Sequence, residues 1–362
     1  MAAPLITVLI DTYNHERFIE EALVSVLEQD FPSAETEILV VDDGSTDRTP
    51  EIVRKFEPRV RLLRKENGGQ ASAFNAGIPE ARGEIVSFLD GDDWWARNKL
   101  TRVTQTLGAD PSLGFVGNGI VIMHRDGSAE SEALREGFRF QANTLEGARL
   151  FGVRGSFMGT SRMTIRRDIL RKVGPVPESI VVQADEYLFT VASVLAGAQI
   201  LPDLLTYYRL HDANGFQFSH ANSRQVRRKQ EGLAALARGL SSRLNAMDID
   251  PGARDAILDM AWANATQMRL RVEGGWSWET ANTEWKIYRV MHPDASVPHR
   301  VFKSLALLAA FMMPPRLFYR VQSKVSQNSV YQRTRQQLLP VPRMAHLRRD
   351  RKADHKESAE VN

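Results

Sequence analysis

The chain has 362 residues, of which 43% are hydrophobic, and its 47 Lys and Arg residues stand against 44 Asp and Glu residues, for a formal net charge of +3. This composition excludes a disordered or fibrous protein, and the charge is too balanced for a dedicated nucleic-acid-binding protein. Cysteine is absent, so disulfides are excluded and any metal must have oxygen or imidazole ligands. Met1 to Pro4 lead into an apolar run without the features of a signal peptide, so we expect a cytoplasmic protein.

The first 123 residues alternate short apolar runs with amphipathic stretches. Five runs rich in β-branched residues predict strands, namely Leu5 to Ile10, Glu37 to Val41, Val60 to Leu63, Ile85 to Leu89 and Phe115 to Met123. Apolar residues at helical spacing predict helices over Ile19 to Leu27, after Pro50, and over Leu100 to Leu107. This alternation predicts an α/β fold in which helices flank a parallel sheet.

The pattern changes after residue 123. Residues 124–222 are less regular and contain glycine-rich patches, and we interpret them as the second half of the same domain. Residues 223–300 carry leucines at helical spacing on both sides of Asp250-Pro251-Gly252, which predicts an appended helical region. Residues 341–362 are polar and charged, and we expect them to be disordered.

Residues 301–340 contain an unbroken apolar run, Leu305 to Met313, followed by Pro314-Pro315 and an arginine-rich stretch. The run is too short to cross a bilayer, which needs about 20 apolar residues. Two interpretations remain open: an amphipathic helix that lies in a membrane interface, and a helix docked on the rest of the protein.

An acidic cluster follows the fourth predicted strand, in Phe88-Leu89-Asp90-Gly91-Asp92-Asp93-Trp94-Trp95. Ligands of α/β sheets bind at the carboxyl ends of the strands, so this is a place where a site is expected. Adjacent carboxylates repel one another unless a cation neutralises them, and oxygen ligands favour Mg²⁺ or Mn²⁺. The alternative is an acidic helix N-terminus in which Asp93 serves as the cap.

Three other polar segments follow apolar runs. In the segment 42–47, Asp-Asp-Gly-Ser-Thr-Asp, a carboxylate could accept from a uracil N–H or a ribose hydroxyl. In Asp11 to Asn14, the Tyr13 ring could stack on a base whose edge Thr or Asn could bind. Glycines in Asn67 to Gly77 allow a ligand to approach the backbone at a helix start. Each segment could also be an ordinary turn or capping loop.

Taken in this order, the four segments resemble the inverting family 2 glycosyltransferases, and the resemblance covers about Leu5 to Asn214. It implies a GT-A type nucleotide-binding mixed sheet flanked by helices, with the C-terminal helical region appended. The catalytic domain would then span residues 1–222, with a nucleotide-sugar half in residues 1–123 and an acceptor half in residues 124–222.

The resemblance also implies roles for individual residues. Contacts with the nucleotide sugar are expected from Thr12, Tyr13, Asn14, Asp43, Asn67, Asn75, Asp90 and Gly91. Asp92 is the expected ligand of a Mg²⁺ or Mn²⁺ ion, with Asp90 and His211 beside it, although His211 could instead be a surface residue. Two positions depart from the family pattern: Asp11 replaces the usual Pro, and Phe74 replaces an Arg, so no phosphate-binding Arg is expected there.

The family has a later acidic pair that opens a helix and supplies the catalytic base. Here Asp185-Glu186 matches that pair, and Tyr207 to His211 follows it. A carboxylate would take the proton of the acceptor hydroxyl as this attacks the anomeric carbon, and one displacement gives inversion. Alignment from Gly197 favours Glu186 as the base, and Asp185 is the alternative. The pair could also serve only to compensate the helix dipole.

The resulting hypothesis is a metal-dependent hexosyltransferase of polysaccharide biosynthesis at the cell envelope. It would move a sugar from a nucleoside diphosphate sugar to a hydroxyl of a glycan or lipid-linked acceptor, at the inner face of the membrane and without a nucleic-acid partner. A catalytically silent nucleotide-sugar-binding module and a metal-dependent nucleotidyltransferase are the alternatives. The presence of Asp43, Asp90, Asp92 and the Asp185-Glu186 pair argues against the silent module.

Overall fold

The computed structural model describes residues 4–132, 136–154, 158–211, 223–291 and 297–326. The strands are β1 (Ile6–Thr12), β2 (Thr36–Asp42), β3 (Arg61–Arg64), β4 (Ile85–Asp90), β5 (Trp94–Trp95), β6 (Leu113–Met123), β7 (Ala129–Glu132), β8 (Phe138–Phe140), β9 (Thr164–Arg166) and β10 (Gly197–Arg209). The helices are α1 (Ile19–Leu27), α2 (Thr49–Arg54), α3 (Gln70–Glu80), α4 (Lys99–Ala109), α5 (Leu145–Arg154), α6 (Arg167–Val173), α7 (Ala184–Leu195), α8 (Ser223–Asn245), α9 (Pro251–Val272), α10 (Ser277–Met291), α11 (Val297–Met312) and α12 (Pro315–Ser326).

One sheet runs through the described residues from Ile6 to Arg209, in the order β3-β2-β1-β4-β9-β6-β10-β5, with β7 paired to β6 and β8 to β10. Strands β3, β2, β1 and β4 are parallel, β9 is antiparallel to both of its neighbours, and β6 and β10 are parallel. The sheet is therefore mixed. In the register of β1, Asp11 lies opposite Asp90 and Thr12 lies opposite Asp42, which brings three strand ends together.

The central strands are buried on both faces because successive side chains point to opposite sides of a sheet. Leu9, Val86 and Phe88 pack on one face with α3 and α7. Ile10 and Leu89 pack on the other face, in the hydrophobic cluster that includes α1 and α4. All five strands expected from apolar runs are present, and the mixed, helix-flanked sheet with helices after it confirms the predicted fold class.

The helices from α8 onward pack on one another and on the preceding helices α5 and α7. Asp250 caps α9 by accepting a hydrogen bond from the Ala253 amide at 2.7 Å, with Pro251 in the first turn, where the chain was expected to break. Buried Glu284 of α10 accepts from Gln267 of α9 at 2.9 Å, Lys303 of α11 at 3.1 Å and Gln322 of α12 at 3.3 Å. This carboxylate joins four helices.

The apolar segment after residue 300 forms α11 and α12, which are separated at Met313 and Pro314. Its remainder to residue 340 and the tail 341–362 lie outside the described residues. Among the described helices, none is both long and apolar enough to span a membrane.

Candidate active site

Asp43 follows the end of β2 and anchors the glycine loop, residues 67–69, which leads into α3. Its carboxylate accepts from Lys65 Nζ at 2.7 Å, from the Gly68 amide at 3.0 Å and from the Gly69 amide at 2.7 Å. Asn67 Nδ2 donates to the Asp43 carbonyl at 3.0 Å, and Gly44 has φ +81° against the Asn67 backbone. Asp43 and Asn67 are thus brought together as expected, and they hold the loop that begins α3.

The loop after β1 lies against the loop after β2. Asn14, with φ 57°, accepts from the Thr46 amide at 2.8 Å and donates its own amide to Ser45 Oγ at 2.9 Å. Thr12 is buried, whereas the Tyr13 side chain is 44% exposed. The exposed ring leaves the face of Tyr13 accessible to an aromatic ligand.

Gly91 allows the acidic loop, residues 91–93 between β4 and β5, to lie against β1. A Cβ at this position would stand 2.6 Å from Thr12 Oγ1 and 2.9 Å from His15 Nδ1. The Gly91 amide donates to the Asp11 carbonyl at 2.9 Å, which holds Asp90 and Asp92 on either side of that contact. Glycine is therefore required here by space.

We expect Gly91→Ala to lower the free energy of unfolding by about 1–3 kcal/mol and to reduce catalytic activity, because β1 and the acidic loop must separate to admit the methyl group. Urea denaturation and a turnover assay would measure both effects. Gly108→Ala is the matched control, because apart from the local backbone of α4 no neighbouring atom lies within 4 Å of a Cβ added there. Equal stability of the Gly91 variant and wild type would contradict the steric argument.

Four carboxylates crowd the end of β4. One carboxylate oxygen each from Asp90, Asp92 and Asp93 lie within 4.8 Å of one another, and Asp11 joins them from β1. Burial, and then the charges of Asp11 and Asp92, raise the pKa of Asp90 well above its usual range. Burial also raises the pKa of Asp11 to about 7. The repulsion among these carboxylates is relieved by protonation or by a bound cation.

Two imidazoles flank Asp92. His211 Nε2 lies 2.8 Å from Asp92 Oδ2, and His15 Nε2 lies 3.8 Å from the same oxygen. Burial would raise the pKa of Asp92, but the hydrogen bond with His211 and the charge of His15 lower it below its usual value. His211 is thus placed beside Asp92, as expected, and His15 is a neighbour that the sequence analysis did not identify.

The residues at this edge suit a hard divalent ion. Asp90 and Asp92 offer carboxylate oxygens, His211 offers imidazole, and Asp11 Oδ1 is buried without a hydrogen-bond partner among the described residues. Carboxylate oxygens are the ligands typical of Mg²⁺ and Mn²⁺ sites. The carboxylate of Asp93 is instead engaged by the protein, because it accepts hydrogen bonds from Ser161 Oγ at 2.6 Å and from the Arg209 amide at 3.0 Å.

Asp185 and Glu186, at the start of α7, point to different surroundings. Asp185 accepts from the Thr160 amide at 3.1 Å and from the Glu186 amide at 2.8 Å. Gln70 donates to Thr160 Oγ1 at 2.9 Å and reaches Asp90 Oδ1 at 3.4 Å, so Asp185 is linked to Asp90 through Thr160 and Gln70. Burial raises the pKa of Asp185 to about 6.

Glu186 faces a cavity of about 210 Å³ that is also lined by residues of α8 and α9. It accepts a hydrogen bond from Gln183 at 2.7 Å. Burial, and then the charge of Asp185, raise the pKa of Glu186 to about 7. A carboxyl group with this pKa can accept a proton near neutral pH.

Asn75, which was expected to contact the nucleotide sugar, has its side chain engaged elsewhere. Its amide donates to the Val176 carbonyl and accepts from the Val176 amide, both at 2.8 Å, so both polar atoms of the side chain are engaged by the backbone. Phe74 is fully buried and packs edge to face on Phe88 at 5.3 Å, which accounts for an aromatic residue where the family usually has Arg.

Sequence reasoning missed Gln70, Thr160 and His15. His15 follows Asn14 directly, so its place in that loop was a usable signal. Gln70 and Thr160 are 90 residues apart, and no local pattern could have paired them. A larger cavity of about 510 Å³, beside Asn143 and Asp250, is lined by none of the candidate site residues.

Known proteins share the sequence pattern and the fold of this chain. The sequence profile of the family described as Glycosyl transferase family 2 matches residues 7–174. An uncharacterized glycosyltransferase of Nostoc, alr2836, is 31% identical over 234 residues, which are 63% of this chain and 72% of the relative. Several other curated glycosyltransferases match shorter segments, and the matched segments span between 17% and 59% of their own length.

Two solved structures share the fold. S. aureus TarS 1-349, in complex with UDP-GlcNAc, superposes with a TM-score of 0.58 at 20% identity and covers 79% of this chain and 82% of its own. The mannosyltransferase PcManGT from Pyrobaculum calidifontis, in complex with GDP-Man and Mn²⁺, superposes with a TM-score of 0.52 at 22% identity and covers 89% and 85%. These likenesses confirm the predicted GT-A fold.

Proposed function

The chain belongs to glycosyltransferase family 2, and we propose that it moves a sugar from a nucleoside diphosphate sugar to a hydroxyl of a glycan or lipid-linked acceptor, with inversion and with a divalent metal. One observation carries the proposal. The carboxylates of Asp90 and Asp92 converge at one sheet edge with the loops of Tyr13 and Asp43, while the Asp185-Glu186 pair begins α7 beside the same edge.

The nucleotide would lie across the ends of β1 and β2. The exposed Tyr13 ring offers a stacking surface for the base, and the Asp43 loop and Thr12 border the same place. Asp90 would contact the ribose. The Gly68 and Gly69 region at the start of α3 offers backbone close to the ligand.

The diphosphate would lie over Asp92. Asp92, with Asp90 and His211 beside it, would hold a Mg²⁺ or Mn²⁺ ion, which would supply positive charge to the leaving diphosphate. Arg209 adds a fixed cation nearby: its Nε donates to the Asp92 carbonyl at 3.1 Å, and its guanidinium lies 4.4 Å from the Trp94 ring centre. These contacts orient Arg209 without a ligand.

Glu186 would be the general base. Its raised pKa keeps a share of it protonated near neutral pH, and the ionised share can take the proton of the acceptor hydroxyl. Asp185 would position this group, because it accepts the Glu186 amide and is itself held by Thr160.

A screen of nucleoside diphosphate sugars tests the proposal. With Mn²⁺ present, we expect one donor to raise the melting temperature of the protein and to release nucleoside diphosphate, with EDTA abolishing release. Stabilisation by a donor without any release would favour a silent binding module. Pyrophosphate release from a nucleoside triphosphate would favour a nucleotidyltransferase.

We further propose that α11 and α12 rest on an anionic membrane surface. Five exposed apolar residues form a stripe along α11, namely Val297, Val301, Leu305, Leu308 and Met312. Exposed Trp276 and Trp278 precede this surface in the sequence, and Arg300, Arg316 and Arg320 lie on the same two helices, α11 and α12. Tryptophan and arginine beside an apolar face are typical of helices that lie in a membrane interface.

Replacing both Leu305 and Leu308 with Glu should lower binding to phosphatidylglycerol vesicles by about tenfold or more, because each leucine would lose its apolar contact and add repulsion. Co-sedimentation of the full chain measures this. The matched control adds the same two charges at exposed Ser33 and Gln105. Equal binding by the two variants would count against a membrane role for α11.

A further inference from the structure

The cavity beside Glu186 is built jointly by the catalytic part and the appended helices. Gln183 and Glu186 line it from the start of α7, and Lys229 lines it from α8. The helix α9 adds Asn264, Gln267 and Arg271, which lie on one face because they are spaced by three and four residues. Most of these side chains are polar, so the cavity suits a hydrophilic ligand.

Two glycines hold this geometry. A Cβ on Gly232 of α8 would lie 2.3 Å from Val182 Cγ2, so α8 can reach the segment before α7 only with glycine there. On the other side of the same segment, a Cβ on Gly69 would lie 3.3 Å from the Val181 carbonyl oxygen. Val181 and Val182 therefore pack between the glycine loop of the proposed donor site and α8.

Two cations converge on the cavity. The pKa of Lys229 is lowered by burial and then by the charge of Arg271, while Glu186 opposes that shift. The Arg271 guanidinium lies 5.0 Å from the ring centre of Tyr319, which holds it in place. Glu186 offsets one of these two positive charges, and the charge that is left suits a phosphate or a carboxylate.

The backbone at Gln183 adds a second sign of a binding site. Gln183 has φ +64°, a left-handed conformation that is uncommon for a residue with a side chain. Its Nε2 donates to Glu186, and its Oε1 is buried without a hydrogen-bond partner among the described residues. A buried, unpaired acceptor next to the base suits a hydroxyl donor on a ligand.

We propose that this cavity binds the acceptor, and that the acceptor carries an anionic group, a phosphate or a carboxylate, which Lys229 and Arg271 bind. This inference rests on the proposed function. In the transfer step, the acceptor O–H bond breaks and its proton passes to the Glu186 carboxylate. The oxygen forms a bond to the anomeric carbon, and the carbon–oxygen bond to the diphosphate breaks with its electron pair leaving on the nucleoside diphosphate.

Calorimetric titration of the full chain tests this. The donor site is first saturated with Mn²⁺ and the nucleoside diphosphate found in the donor screen, so that added anions cannot bind there. Glucose 1-phosphate, glucuronate and glucose are then titrated in turn. We expect at least one of the two anions to bind about tenfold or more tightly than glucose, and the better anion identifies phosphate or carboxylate as the group.

The double variant Lys229→Met with Arg271→Met should lose this preference for the anion. The matched control, Lys172→Met with Arg82→Met, removes the same charges from side chains that are 63% and 67% exposed, and it should keep the preference. Equal affinity for glucose and both anions, or an unchanged preference in the first variant, would overturn the inference. Failure of the proposed function gives a different result, because the wild-type chain would then release no nucleoside diphosphate from any donor.

Discussion

Asp92→Asn should reduce sugar transfer by about 10³-fold, equal to roughly 4 kcal/mol of transition-state stabilisation, because it removes the charge on which the metal depends. The substitution keeps the size of the side chain, and His211 can still bond to the remaining oxygen. Mn²⁺ binding, followed by electron paramagnetic resonance, should weaken in parallel. The fold should be retained, so thermal unfolding would remain cooperative.

Asp168→Asn is the control for this experiment. Asp168 has an exposed side chain on α6, 4.0 Å from Lys172, and it has no part in the site. We expect its transfer rate and Mn²⁺ affinity to match those of wild type. If Asp92→Asn bound Mn²⁺ as tightly as wild type, Asp92 would not be the metal ligand.

Glu186→Gln should lower kcat by about 10²–10⁴-fold, the usual contribution of a general base. The wild-type pH profile should show the reason. Since the pKa of Glu186 is raised to about 7 by burial and by Asp185, the base becomes protonated as the pH falls below that value. We therefore expect kcat to drop about tenfold per pH unit on the acid side, and to lose this dependence in Glu186→Gln.

Asp185→Asn separates the two members of the pair. The oxygen of the new amide would still accept from Thr160 or Glu186, so we expect a smaller loss of kcat than in Glu186→Gln. The fall of kcat on the acid side of the pH profile should be retained. The control Glu130→Gln, at a side chain that is 74% exposed, should behave as wild type. If the fall of kcat at low pH vanished in Asp185→Asn and persisted in Glu186→Gln, Asp185 would be the base.

The sheet could be predicted from the sequence because its strands are short apolar runs with a local signature. The rule that ligands bind at the carboxyl ends of strands also predicted that Asp43 and Asp90 would share one edge of the sheet. Local patterns could not predict which way a helix start presents its side chains. Asp185 and Glu186 are consecutive, and one helical step of about 100° turns them toward different surroundings.

Other features depend on packing between distant segments. Asn75 matches a family position, yet its amide is taken by the backbone of Val176, 101 residues away. Lys229 and Arg271 carry no motif, and they meet Glu186 only because α8 packs on α7 and α9 packs on α8. Such pairs are fixed by tertiary contacts, which a single sequence does not reveal.

The two valines between Gly69 and Gly232 have a practical consequence for engineering. They lie between the glycine loop and α8, so the proposed nucleotide site and the proposed acceptor cavity meet across only two residues. A chimera that exchanges everything from α8 onward with a relative should keep its nucleotide preference and change the molecule it modifies. The incoming first helix must carry glycine where it crosses Val182.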